Sequence, residues 1–98
     1  MTLQLPFVIE RPYGRVTVVL EVFEEDGSLV CGIYKLDGKI TLPPRRWLSV
    51  VRSEVRKLET IAREAGCHEM RVAGRDWSPI LTDYEPFDGP TNGLRKRL

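Results

Sequence analysis

Two of the Asp-Gly pairs, Asp26-Gly27 and Asp37-Gly38, constrain the fold of this chain more than any other feature. Aspartate and glycine accept the positive φ that tight hairpins need, and each pair here follows a run of strand-forming residues. Val16–Glu24 (VTVVLEVFE) alternates Val16, Val18, Leu20 and Val22 on one face with Thr17, Val19, Glu21 and Phe23 on the other, and reads as a strand. A second strand is expected over Leu29–Leu36, with Gly32 marking a bulge or a close backbone approach, and a short third over Lys39–Leu42. The result is a three-stranded antiparallel meander, to which Leu5–Glu10 adds an edge strand.

Pro43-Pro44 stops the sheet, since neither proline can donate to a ladder. The spacing of Val51, Val55, Leu58, Ala62 and Ala65, with Leu48 and Ile61 at the margin, predicts an amphipathic helix from about Arg46 to Ala65. Arg52, Arg56, Lys57, Glu59 and Arg63 fall largely on its other sides, and Gly66 is placed to end it. A strand over Glu69–Ala73 follows, then a short helix over Trp77–Tyr84 capped by Asp76 with Pro79 in its first turn. The expected fold is α+β: an antiparallel sheet of four or five strands packed by one long helix, then a strand and a short helix. Val51, Val55, Leu58, Ile61 and Ala62 should face Val18, Leu20, Val22, Ile33 and Val72 across the core.

With 98 residues there is room for one domain, its core at about residues 16–87 and a basic tail at 88–98. The composition, 42% hydrophobic and 30% charged, is that of a globular chain, and a net charge of +1 selects no class of partner. Cys31 and Cys67 form no disulfide framework, no Cys/His cluster suggests a metal site, and with His68 the single histidine no zinc site is expected within the chain. No run approaches a membrane span and Met1–Glu10 has no signal-peptide pattern, so a cytoplasmic setting is expected.

The stretch Val50 to Phe87, closing on VRKLETIAREAGCHEMRVAGRDWSPILTDYEPF, runs helix, Gly-Cys, strand, short helix, Tyr-x-x-Phe. This order resembles the second half of the GNAT superfamily of acetyltransferases, and the meander matches that family's central antiparallel strands. GRDW followed by DYEPF and a terminal RKRL looks more narrowly like short GNAT-like proteins of bacteriophages and prophages. The resemblance covers roughly Thr17 to Phe87 and implies a GNAT-like fold. It further implies acetyl-CoA as cofactor if the chain is an enzyme, with Tyr84 in the place of the general acid. Three departures accompany it. The family's glycine-rich pyrophosphate loop is replaced by Leu42-Pro43-Pro44-Arg45-Arg46-Trp47, which has no glycine and two residues without an N–H. Pro86 stands where the family usually has glycine, and the family's N-terminal helices are missing. Phosphate contacts would then fall to the side chains of Arg45 and Arg46.

Each candidate also has a plain structural reading. Arg45 and Arg46 can be two solvated cations after a proline stop, and Tyr84 a packed ring with a bonded hydroxyl. Trp47 and Trp77 can be a contact surface or a cover for the core. Cys67 follows a helix C-terminus, which raises rather than lowers a thiol pKa, so a structural role is favoured. Arg95, Lys96 and Arg97 can meet an acidic protein surface or nucleic acid, although no basic stripe elsewhere supports the latter. The expected function is a phage- or prophage-derived GNAT-like protein without robust catalysis, acting by contact with a protein partner or another copy of itself. An acetyl-CoA-dependent N-acetyltransferase and a nucleic-acid module using the tail are the alternatives.

Overall fold

Strand-forming residues at both ends of the chain, joined by one long helix, fold into a single mixed sheet with that helix on one face. The computed structural model of the chain describes residues 2–98. The elements are β1 (Leu3–Arg11), β2 (Gly14–Glu25), β3 (Ser28–Ile40), α1 (Pro44–Glu64), β4 (Glu69–Val72), β5 (Glu85–Pro86) and β6 (Leu94–Arg97). The six strands lie in the order β1-β2-β3-β4-β6-β5. All neighbours are antiparallel except β3 and β4, which run parallel through Val30–Gly32 and Glu69–Arg71. The α+β class therefore holds, but the sheet is mixed and six-stranded rather than antiparallel with four or five strands. The cause is α1: a helical crossover carries the chain back to the end of the sheet where β3 began, so the next strand must run the same way.

The first Asp-Gly pair makes the turn that its chemistry predicts, with Asp26 at φ 52 and Gly27 at φ 81. The second does not. Leu29–Leu36 and Lys39-Ile40 belong to one strand, β3, which stops before Thr41 and Leu42, and Gly38 lies within it at φ 142. A Cβ at Gly38 would strike the Arg15 carbonyl oxygen and come within 2.7 Å of Val16 Cα. Gly38 is thus required by the close approach of β2, and no side chain can replace its hydrogen there. The register slips instead between Val19 and Leu20, which pair with Lys35 and Ile33 and leave Tyr34 as the extra residue of a bulge. Gly32 is regularly paired on both sides.

α1 begins at Pro44, where a proline fits because its missing N–H is one the first turn cannot use. It ends as predicted: Gly66 takes φ 90, and the Gly66 and Cys67 amides return to the Arg63 and Ala62 carbonyls. Val55, Leu58 and Ala62 are buried against Val18, Leu20, Cys31, Met70 and Val72, while Ile61 turns outward.

Residues 77–84 form successive turns, not a helix. Ser78 and Pro79 sit in a turn to which Asp76 is bonded through both the Ser78 amide and hydroxyl, and Tyr84 N–H donates to Leu81 rather than continuing an α ladder. Leu81 N–H makes a single α-type bond, to Trp77, and Asp83 is drawn towards Arg56 and Lys96. The basic terminus is no tail either. Leu94–Arg97 is an inner strand between β4 and β5, with Leu94 buried. On the sheet face away from α1, Arg71 lies between the rings of Phe23 (5.7 Å) and Phe87 (5.0 Å) and forms a two-pronged pair with Glu25.

Candidate functional site: a tryptophan-lined cleft and a buried ionic network

β4 is short and pairs with β3 only at Val30–Gly32, so the Ile33–Ile40 half of β3 runs on without that neighbour. Over it lies the amino-terminal half of α1, and an apolar cleft of about 170 Å³ remains between them. Val16, Val18, Ile33 and Leu36 form its floor, and Trp47, Val51 and Val55 its helical wall. The turns after β4 close one side with Trp77 and Ile80. The fold thus brings Trp47 and Trp77, thirty residues apart in sequence, to one cavity. They are not equivalent. Trp77 is 4% exposed and its indole N–H donates to the Ala73 carbonyl, whereas Trp47 is half-buried against the core edge.

Charged groups rim this cleft. Arg11 reaches from the end of β1 to Glu54 on α1 at 3.2 Å, and Arg75 donates to the Leu36 carbonyl across the gap between the turns and β3. Asp37 and Asp76 also line it and take part in no ion pair among the described residues. The Ser78 hydroxyl and amide hold the Asp76 carboxyl below its ordinary value.

Tyr84 is elsewhere. It is buried towards the other half of α1, and its hydroxyl donates to Glu59 Oε2 at 2.6 Å. Glu59, 2% exposed, also accepts from Arg56 (2.7 Å) and Lys96 (3.0 Å), and both cations bind Asp83, at 2.7 and 2.8 Å. Two carboxylates and two cations thus compensate each other around one phenol, and no buried side-chain polar atom is left unbonded among the described residues. Burial, followed by the bond to Glu59, pushes the Tyr84 hydroxyl far above its ordinary range. Burial also raises Asp83, but the bonds from Lys96 and Arg56 outweigh it and bring its carboxyl down to about 2.

Arg45 and Arg46 are exposed on the first turn of α1, make no hydrogen bond or ion pair among the described residues, and do not line the cleft. They stand about 20 Å along the helix axis from Glu59, at 1.5 Å per residue. Of the terminal basic residues, Lys96 belongs to the buried network and Arg95 pairs with Glu85 at 3.2 Å, leaving Arg97 as the exposed one. Cys31 and Cys67 are buried; burial and the neighbouring Cys67 push the Cys31 thiol up to about 12, and burial raises Cys67, while His68 is exposed. A nucleophilic thiolate has no support in such surroundings.

Among the described residues no His, Cys, Asp or Glu cluster has the arrangement of a metal site, and no helix is long and apolar enough to cross a membrane. Glu59, expected among the outer side chains, is instead buried. Its signal was there: Glu59 lies four residues from Val55 and three from Ala62, on the buried stripe. No family model, curated protein or solved structure matches this chain.

Proposed function

We infer that the chain is a non-catalytic binding module that grips a protein partner at the Trp47–Trp77 cleft. The observation that carries this reading is the meeting of both tryptophans at one apolar cavity while the residues an acetyl transfer would need stand apart. Tyr84 has its proton bonded to a buried carboxylate, and neither it nor Arg45 and Arg46 opens onto the cleft. Partly exposed tryptophan beside an apolar pocket is the composition of an interface anchor. The resemblance of GRDW, DYEPF and RKRL to small phage and prophage proteins suggests the setting: a virion component or a host factor as partner, in the cytoplasm. A second copy of the chain is less well served, because the outer strand β1 carries Pro6, which can donate no hydrogen bond to an added strand.

One observation favours a second reading, acetyl-CoA binding. The cleft lies beyond the carboxyl end of β4 beside its parallel neighbour β3, the place where α/β sheets commonly hold ligands. In that case the acyl arm would lie in the cleft and Arg45 and Arg46 would meet the phosphates.

The test of the contact reading is Trp47→Ala. A partner that co-purifies with the wild-type chain is expected to be lost from the variant while its melting transition stays cooperative. Undiminished retention by the folded variant would remove Trp47 from the interface.

A further inference from the structure

We propose that the cleft takes one aromatic side chain of the partner, and that a basic residue lies next to that ring in the partner's sequence. The inference rests on the reading of the cleft as the contact site and specifies what enters it. Size comes first. At about 170 Å³ the cavity is close to the roughly 150 Å³ of an engineered protein cavity that binds benzene, so one ring fits and two do not.

The lining then decides polarity. The floor is valine, isoleucine and leucine and the helical wall valine and Trp47, while the polar groups, Tyr13 and the charged side chains, complete the lining. The Trp77 N–H is already bonded to Ala73. A polar group set against the valine, isoleucine and leucine floor would therefore lose water without a partner there, whereas an apolar ring loses nothing. Two indoles on the lining favour a ring over an aliphatic chain, because aromatic pairs in offset or edge-to-face contact gain beyond their buried area.

Charge identifies the ring's neighbour. Two arginines and three carboxylates line the cavity, a net charge of −1. Arg11 and Glu54 neutralise each other, and Arg75, held on the Leu36 carbonyl, offsets one of the two remaining carboxylates. The Asp37 and Asp76 carboxylates remain without an ion pair, both exposed, so an entering chain meets negative charge beside the apolar opening. Lysine or arginine next to the ring complements that rim, and an acidic residue there is repelled.

The probes are three capped dipeptides, acetyl-Phe-Arg-amide, acetyl-Ala-Arg-amide and acetyl-Phe-Glu-amide, titrated into the 15N-labelled chain. The expected result is saturable movement of the Trp47 and Trp77 indole signals by Phe-Arg, with Ala-Arg at least about tenfold weaker, one ring contact's worth. Phe-Glu should bind more weakly than Phe-Arg at low salt, with the gap closing as salt is added. Asp37→Lys, a change on an exposed strand position, should reverse that preference. Val51→Trp, which fills the cavity from the helical wall, should abolish all three responses. Equal response to Phe-Arg and Ala-Arg, or no saturable response to any probe, overturns the proposal. If the peptides fail while Trp47→Ala still sheds the co-purified partner, the ring is excluded and the contact reading stands; if Trp47→Ala sheds nothing, the contact reading itself fails.

Discussion

Replacing Glu59 with alanine is expected to cost about 3 kcal/mol and to lower the melting temperature by about 15 °C, a large share of what a domain of this size possesses. The carboxylate is 2% exposed and serves three donors at once, Tyr84, Arg56 and Lys96. Removing it strands a buried phenol and leaves two cations with only Asp83 between them. The lower end of the range for broken buried pairs applies because Lys96 and Arg56 keep side-chain exposures of 24% and 37% and can recover some water. Glu59→Gln, which keeps an acceptor, should lose less, and Tyr84→Phe about 1–2 kcal/mol. Thermal melts of the three variants rank them directly. The same network gives stability a pH dependence of known sign. Asp83 titrates at about 2 in the folded chain against an ordinary 3.8, so its contribution is complete above pH 3.8 and is lost as pH falls through 2. Asp83→Asn should flatten the acid limb in that window. Because Asp83 is 40% exposed, solvent screening makes the effect smaller than the shift alone implies.

Trp77→Ala is expected to destabilise the fold by about 3–5 kcal/mol, whereas Trp47→Ala should cost about 1 kcal/mol. Trp77 is enclosed by the core, and its removal joins the cleft to a new void that the anchored turns cannot close. Trp47 packs against the core from its margin, and the first turns of α1 can lose it without exposing the interior. The contrast decides how binding experiments must be read. Loss of a partner from Trp77→Ala reports unfolding, while loss from Trp47→Ala reports the contact. Equal melting temperatures for the two variants would show that Trp77 does not support the core as its burial requires.

Much of this was legible in the residues, and the failures share a cause. Val16–Glu24 and the stripe Val55, Leu58, Ala62 identified their elements because periodicity acts through local geometry alone. Gly38 was misread because glycine after aspartate serves a turn or a close strand approach equally well, and only Arg15 and Val16 opposite it decide which. Arg95 to Arg97 suggested a solvated tail because charge normally seeks water; Glu59 and Asp83, distant in sequence, make an inner strand of it instead. Trp77, Ile80, Leu81 and Tyr84 are all buried at helical spacing, yet the chain turns, since burial specifies a face and not a hydrogen-bond ladder. At the site, the tryptophans were found by type and united by the fold. Tyr84 was found by position in a family pattern, and its bond to Glu59 was visible only in three dimensions.

The measurement closest to the central claim is calorimetric titration of the purified chain with acetyl-CoA. A binding module with its phenol bonded to Glu59 and its helix start lacking glycine should give no saturable heat at millimolar coenzyme. Micromolar binding, weakened when Arg45 and Arg46 are both changed to alanine, would contradict the account and make the cleft a coenzyme site.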